Sequence, residues 1–190
     1  FILAAGMSKR MGNENKLLKK INNNTILNQT LKNHIESKIN KINLILGYQK
    51  NIILKQINQN KIFIIENNNF KSGMLSSILK INENISDETS GILISLADMP
   101  FVTSDDINKL IKIFNENDQK IICIPENKGK LGNPLLLPKE IYKDLIRDTS
   151  KLSSDEGLKK LILNKKYNYI KVNLSEGVKK DFDTNEDFNL

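Results

Sequence analysis

Two stretches of this chain carry residue types suited to phosphate and a hard cation. The first is Leu3-Ala4-Ala5-Gly6-Met7-Ser8-Lys9-Arg10-Met11-Gly12, with Lys16-Leu17-Leu18 close behind. Ala4, Ala5 and Gly6 lack bulk, so backbone N–H groups can approach a ligand, and Gly6 and Gly12 allow dihedral angles that other residues resist. Arg10 offers a fork of donors and Lys16 a point charge, both matched to phosphate oxygens. The pattern is neither a Walker A loop nor the dinucleotide G-x-G-x-x-G. A bare G-x-S-x-R by itself fits better an ordinary glycine-containing loop with two solvated cations.

The second stretch is acidic and split in two. Asp98 closes the apolar run GILISLAD and is followed by Met99-Pro100, which stops the strand and leaves a carboxylate of the kind Mg²⁺ takes as ligand. Position alone fits an N-cap or loop carboxylate equally well. Asp181 and Asp183 alternate in DFDTNED, which puts both on one face of an extended segment where they can share one cation. The same residues also fit a capped C-terminal helix, with Thr184 as N-cap and Glu186 and Asp187 in its first turn.

These residues need elements to hold them. Short Ile- and Leu-rich runs recur along the chain: FILAAG, INLILGY, KIFIIEN, GILISLAD, KIICIPE, NPLLLP and YNYIKVNL. Between them, apolar residues at i, i+3, i+4 spacing predict helices at 25–38, 49–58, 74–84, 104–117, 139–149 and 154–165. Thr103 or Ser104 caps the fourth, with Asp105 and Asp106 in its first turn. Strands apolar on both faces and joined by crossover helices predict an α/β fold, a doubly wound, mostly parallel sheet with helices on both faces. Ligands of such sheets sit beyond the carboxyl ends of the strands, where the segments after FILAA and after GILISLA fall.

Composition narrows the functional classes. A chain of 190 residues with 39% hydrophobic content predicts one domain, residues 1–190. No window approaches a membrane span and FILAAG lacks a signal-peptide pattern, so a cytoplasmic protein without membrane partners is expected. The one cysteine, Cys123, lies in an apolar run and reads as a buried inert thiol, which excludes disulfides and cysteine-based metal sites. The net charge of +7 comes from lysines scattered along the chain, and aromatic content is 6%, so no nucleic-acid partner is expected. His34, in the first predicted helix and away from the phosphate-like loops, is expected to be exposed or partly packed and without a role.

The segment LAAGMSKRMG, with its following lysine, resembles the signature L-A-A-G-x-S-x-R-M-G of the MobA-like nucleotidyltransferases. Further elements resemble that family in the same order. Asp98-Met99-Pro100 matches D-[MQ]-P, and NFKSGMLSS matches a G-M-x-S-S loop in which Ser76 and Ser77 fit helix capping better than ligand contact. Gly132-Asn133-Pro134 matches G-[HN]-P, although a plain turn fits it too. SSDEGLKKLI resembles G-D-x-G-A-R-x-L-L, with Ser154 in place of the first glycine and Leu158-Lys159 in place of Ala-Arg. DFDTNEDF resembles D-I-D-T-P-E-D-L, with Asn185 and Phe188 as departures.

The resemblance implies a nucleotidyltransferase of Rossmann-like fold that uses Mg²⁺, with Mn²⁺ able to replace it. It implies a nucleotide site at Leu3, Ala4, Ala5, Gly6, Ser8, Arg10, Lys16, Gly73, Ser76 and Asp98, of which Arg10, Lys16 and Asp98 are catalytic. Metal falls to Asp98, Asp183 and Asp181, and the acceptor to Gly132, Asn133, Pro134 and Asp155. Family members that transfer cytidylate begin L-A-A-G and those that transfer guanylate begin L-A-G-G, so Ala5 implies CTP. The implied acceptor is molybdopterin, for delivery to a molybdenum hydroxylase. A phosphomonoester acceptor is already largely ionised at neutral pH, so no general base is required. Guanylyl transfer, a sugar or alcohol phosphate acceptor, and a non-catalytic cofactor-delivery module remain as alternatives.

Overall fold

Seven apolar runs become strands, and three shorter strands accompany them among the described residues. The structure is a computed structural model that describes residues 1–8, 14–21, 23–57, 60–147, 157–164 and 167–182. In chain order the elements are β1 (Ile2–Ala4), β2 (Lys20–Ile21), β3 (Asn24–Thr25), α1 (Ile26–Ile35), β4 (Ile42–Leu46), α2 (Lys50–Leu54), β5 (Ile62–Glu66) and α3 (Met74–Asn82). They continue with β6 (Gly91–Leu96), α4 (Ser104–Glu116), β7 (Ile122–Asn127), β8 (Lys130–Leu131), β9 (Leu135–Pro138), α5 (Lys139–Arg147), α6 (Leu158–Asn164) and β10 (Tyr169–Asn173).

The main sheet runs in the order β10-β7-β9-β6-β1-β4-β5, with β8 paired to β7. β1 is parallel to both β4 and β6, β4 to β5, and β10 to β7. β9 runs antiparallel to β6 and to β7, so the sheet is mixed but mostly parallel, as the sequence predicts. β2 and β3 pair antiparallel in a separate two-stranded sheet.

Alternation along each strand feeds two cores. On one face Ala5, Ile45, Ile92, Ile94, Ile124 and Leu137 pack under α3, α5 and α6. On the other, Ile2, Ala4, Leu44 and Leu46 pack under α1 and α2, while Leu93, Cys123 and Leu136 pack under α4. Each fully buried Leu or Ile contributes roughly 1.5–3 kcal/mol, and this two-sided burial is why the strands read as unbroken apolar runs. Cys123 is fully buried, and burial raises its thiol pKa to about 11, as an inert core residue requires.

Helix ends follow local chemistry. α4 starts at a capping box in which the Thr103 hydroxyl accepts from Asp106 N and the Asp106 carboxylate accepts from Thr103 N. α2 is shorter than the 49–58 periodicity predicts. It begins only after Gln49, whose φ of 53° is left-handed, and ends at Leu54. Among the described residues no helix is long and apolar enough to cross a membrane.

Candidate active site

β1 and β6 are parallel neighbours, so their carboxyl ends open side by side, and a cleft of about 410 Å³ lies over them. That volume falls within the range of small-molecule sites. Leu3, Ala4, Ala5 and Gly6 run along its floor with Leu96 and Asp98, and Ser8, Lys16, Gly73, Met74, Ser77 and Asp181 stand around it. A smaller apolar pocket of about 250 Å³ continues from it, sharing Leu3, Met74 and Leu96 and reaching Asn133 and Lys159.

The loop after β1 differs in detail from its sequence reading. Gly6 does not use a left-handed φ; a Cβ built there meets nothing within 4 Å, so its missing side chain leaves space in the cleft. The left-handed residue is Ser8, at φ 50°. The Ser8 hydroxyl accepts from Lys16 N at 3.3 Å, which ties the two sides of the loop together. Lys16 opens a 3₁₀ turn, Lys16–Leu18, capped by the Asn15 side chain and anchored by buried Leu17. Arg10 and Gly12 lie outside the described residues.

Lys16 Nζ donates to Asp98 Oδ2 at 2.5 Å, with the two side chains 16% and 14% exposed. A candidate phosphate-binding cation and a candidate metal carboxylate therefore meet at the head of the cleft. α1 fixes the turn that carries Asp98. The Thr30 hydroxyl donates to Ala97 O at 3.0 Å, and Asn33 Nδ2 donates to Pro100 O at 2.9 Å and Val102 O at 2.7 Å. His34, on the same helix face, is 3% exposed rather than exposed or partly packed. Its Nδ1 lies 2.8 Å from Thr30 O, which can only accept, so Nδ1 carries the proton and Nε2 accepts from the Ser95 hydroxyl at 2.7 Å. Burial pushes its pKa down to about 4, which keeps the imidazole neutral.

The C-terminal segment closes the other side. Phe182 N donates to Asp98 O at 3.2 Å, and Phe182 packs on Phe101 with ring centres 5.6 Å apart, so Asp181 comes to the cleft beside Asp98. Gly177 lies directly on the Phe101 carbonyl and Gly132 on the Val178 carbonyl, where neither has room for a Cβ. Asn133 N donates to Val178 O at 3.0 Å, so the segment spans the metal side and the Gly132-Asn133-Pro134 loop. The Asn133–Pro134 peptide is cis. Gly132 and Pro134 are buried, and Asn133 lines the apolar pocket. Asp183 and Asp155 lie outside the described residues.

Gly73, at φ 85°, lets the chain turn along the cleft wall into α3. The serines that follow do not cap that helix, since Gly73 itself is the N-cap. Buried Asn67 donates to the Ser76 hydroxyl at 2.8 Å and to Ser77 at 3.0 Å, and Ser76 donates to Gly73 O. Ser77 lines the cleft, whereas Ser76 lines a separate groove on the outer side of α3.

Thr30, Asn33, Lys71 and Lys159 are site residues that sequence reasoning does not single out. Polar Thr30, Asn33 and His34 on the apolar stripe of an amphipathic helix are the one available signal for the first two. Burial holds the Lys159 ammonium below the usual lysine range, while the facing Asp181 carboxylate acts in the opposite direction.

A cleft at the carboxyl edge of a mostly parallel α/β sheet, with a lysine–aspartate pair at its head, is the place where an enzyme of this fold class would hold a ligand. Residues 1–168 match the MobA-like NTP transferase domain, and the chain belongs to that family. The molybdenum cofactor cytidylyltransferase of Escherichia coli K12 is 29% identical over 147 residues, which cover 77% of this chain and 72% of that one. A homologue of Mycobacterium tuberculosis Rv0371c from Mycobacterium sp. strain JC1 superposes with a TM-score of 0.83 at 22% identity, covering 98% and 90% of the two chains. Rv0371c in complex with manganese superposes with a TM-score of 0.78 at 20% identity, covering 98% and 93%.

Proposed function

We propose that this protein transfers CMP from CTP to the phosphate of molybdopterin and releases pyrophosphate. The observation that carries the reading is the Lys16–Asp98 pair at the head of a cleft floored by Leu3, Ala4, Ala5 and Gly6. Similarity to a molybdenum cofactor cytidylyltransferase supports the choice of acceptor, and Ala5 in the L-A-A-G segment supports cytidine.

Asp98 and Asp181 fit a divalent cation. Both carboxylates line the cleft, and a side-chain ammonium already rests against Asp98 where a cation is stabilised. Among the described residues no third His, Cys, Asp or Glu completes a closed ligand cage, which suits a hard ion that keeps waters and takes phosphate oxygens. Mg²⁺, with Mn²⁺ as its substitute, would supply charge neutralisation on the phosphates when bound there. A structural relative has itself been solved in complex with manganese.

The chain's own residues do the rest. The backbone of 4–8 approaches the triphosphate, Gly73 keeps the opposite wall clear of side chain, and Lys16 moves from Asp98 to the phosphates as pyrophosphate charge develops. The acceptor phosphate oxygen attacks the α-phosphorus in line with the departing pyrophosphate, and the α-phosphorus–oxygen bond to pyrophosphate breaks. Asn133 and the apolar pocket position that acceptor. Arg10, Asp183 and Asp155 are proposed for the triphosphate, the metal and the acceptor from sequence alone, and a molybdenum hydroxylase is the proposed recipient of the product.

The test is pyrophosphate release in the presence of Mg²⁺, CTP and molybdopterin. Release that needs all three supports the reading. Release from CTP with a sugar or alcohol phosphate, but not with molybdopterin, would replace the acceptor and keep the reaction class.

A further inference from the structure

The apolar pocket beside the cleft contains a cation at a position where this chain departs from the family pattern. Lys159 stands in the first turn of α6 and is partly buried. Its Nζ donates to Leu131 O at 3.3 Å and Gly132 O at 3.4 Å, both long for N–H···O bonds, and among the described residues it forms no ion pair. It shares the pocket wall with Leu3, Ile78, Ile94, Leu135 and the Asn133 amide. The carboxylate whose field it feels is Asp181, in the adjoining cleft.

An ammonium partly withdrawn from water among leucine and isoleucine side chains, and met among the described residues by two distant carbonyls, is stabilised when an anion arrives. The direction from which an anion can arrive is set by the pocket, which opens onto the cleft where Leu3, Met74 and Leu96 line both spaces. The pocket interior offers apolar side chains and few polar partners. A polyol or sugar buried there would leave its hydroxyl groups unpaired, each at a cost of about 1–3 kcal/mol, whereas a flat apolar or heteroaromatic ring system would not.

We propose that Lys159 binds the acceptor's phosphate at the mouth of this pocket, and that the pocket selects phosphomonoesters whose organic part is a flat ring system over sugar or polyol phosphates. The proposal rests on the nucleotidyl-transfer reading and adds to it the residue and surface that choose the acceptor. Lys159 thereby places the attacking phosphate between its own ammonium and the carboxylates of Asp98 and Asp181. It takes the position at which the family pattern has arginine, and it supplies a point charge there instead of a fork.

The probe pair is 1-naphthyl phosphate and 1-naphthol, titrated calorimetrically into the full chain and into Lys159→Ala, Lys159→Met and Lys159→Arg. The wild-type chain is expected to prefer the phosphate by about tenfold or more, the value of one charge-assisted hydrogen bond. Lys159→Ala and Lys159→Met lose the preference and keep naphthol binding, and Lys159→Arg restores it. CTP binding stays unchanged in all three, which reports that they are folded.

A wild-type chain that binds neither probe, or a Lys159→Met chain that keeps the phosphate preference, overturns the proposal. The reaction reading fails separately. A Lys159-dependent preference in a chain that releases no pyrophosphate with molybdopterin leaves Lys159 in place and removes molybdopterin. Turnover of molybdopterin with an unchanged acceptor KM in Lys159→Ala removes Lys159 and leaves the reaction.

Discussion

The contact between Lys16 and Asp98 sets the chemistry of the cleft at the scale of single residues. In the proposed reaction one carboxylate cannot serve an ammonium and a divalent cation equally, so the 2.5 Å pair would have to loosen when metal and triphosphate enter. Replacing Asp98 with Ala removes the carboxylate that both cations need, and turnover should fall by about a thousandfold or more with an unchanged thermal transition. Mg²⁺-dependent activity near wild type in that variant would remove Asp98 from the metal site. Lys16→Ala should have opposite effects on two readouts. The KM for the nucleotide rises by about tenfold to a hundredfold as a phosphate contact is lost. Binding of Mn²⁺ to the nucleotide-free chain tightens by a few-fold, because the competing ammonium has gone. Mn²⁺ binding that weakens instead would show that Lys16 helps to build the metal site rather than competing for it.

Elements rather than single residues determine where Asp98 points. α1 carries Thr30, Asn33 and His34 on its buried face, and their hydrogen bonds hold Ala97, Pro100, Val102 and Ser95 around the Asp98 turn. Asn33→Leu keeps the volume but leaves two carbonyls without their donor, so it should cost about 1–3 kcal/mol in chemical denaturation and lower kcat more than it raises the nucleotide KM. A loss of stability with kcat untouched would make the clamp purely structural. His34 gives the same helix a pH dependence. Its folded pKa of about 4 lies below the unfolded value of 6.5, so the unfolded chain binds more protons between them. The contribution is complete above pH 6.5 and is lost as pH falls towards 4, by roughly 3 kcal/mol in all. Urea midpoints measured from pH 7.5 to 4 should drop less steeply for His34→Asn than for the wild type, and parallel curves would assign the acid sensitivity to other groups.

Across the whole molecule, the sequence reading was strongest where one residue's environment depends on its neighbours in the chain. The apolar runs of β1, β4, β6, β7 and β9 became strands buried between helices on both faces, whereas the edge strands β5 and β10 leave Phe63 and Lys171 exposed. The segments after β1 and β6, which carry Lys16 and Asp98, were placed at the cleft by strand ends, and Gly73 by the family resemblance of its loop. The reading failed where a side chain's partner lies far along the chain. His34 was expected near solvent because nothing nearby in sequence reveals Ser95, 61 positions away. Ser76 and Ser77 read as caps until buried Asn67 claimed both hydroxyls, and only Ser77 faces the cleft. Gly6 allows an unusual dihedral but does not use one; it leaves open space, and Ser8 takes a left-handed φ. Lys159 looked like a departure from a motif, and its place beside Asn133 and Asp181 appears only once α6, β9 and the C-terminal segment meet.

In the proposed reaction a CMP group leaves CTP at Lys16 and Asp98 and joins a phosphate held in the adjoining pocket. Offering the protein molybdopterin with equimolar CTP and GTP in Mg²⁺, and weighing the product, tests it most directly. A product heavier than molybdopterin by the mass of a cytidylyl group, formed with matching pyrophosphate, is the expected result. A guanylyl product would contradict the base assignment drawn from Ala5, and unchanged molybdopterin beside intact nucleotides would contradict the account of the reaction itself.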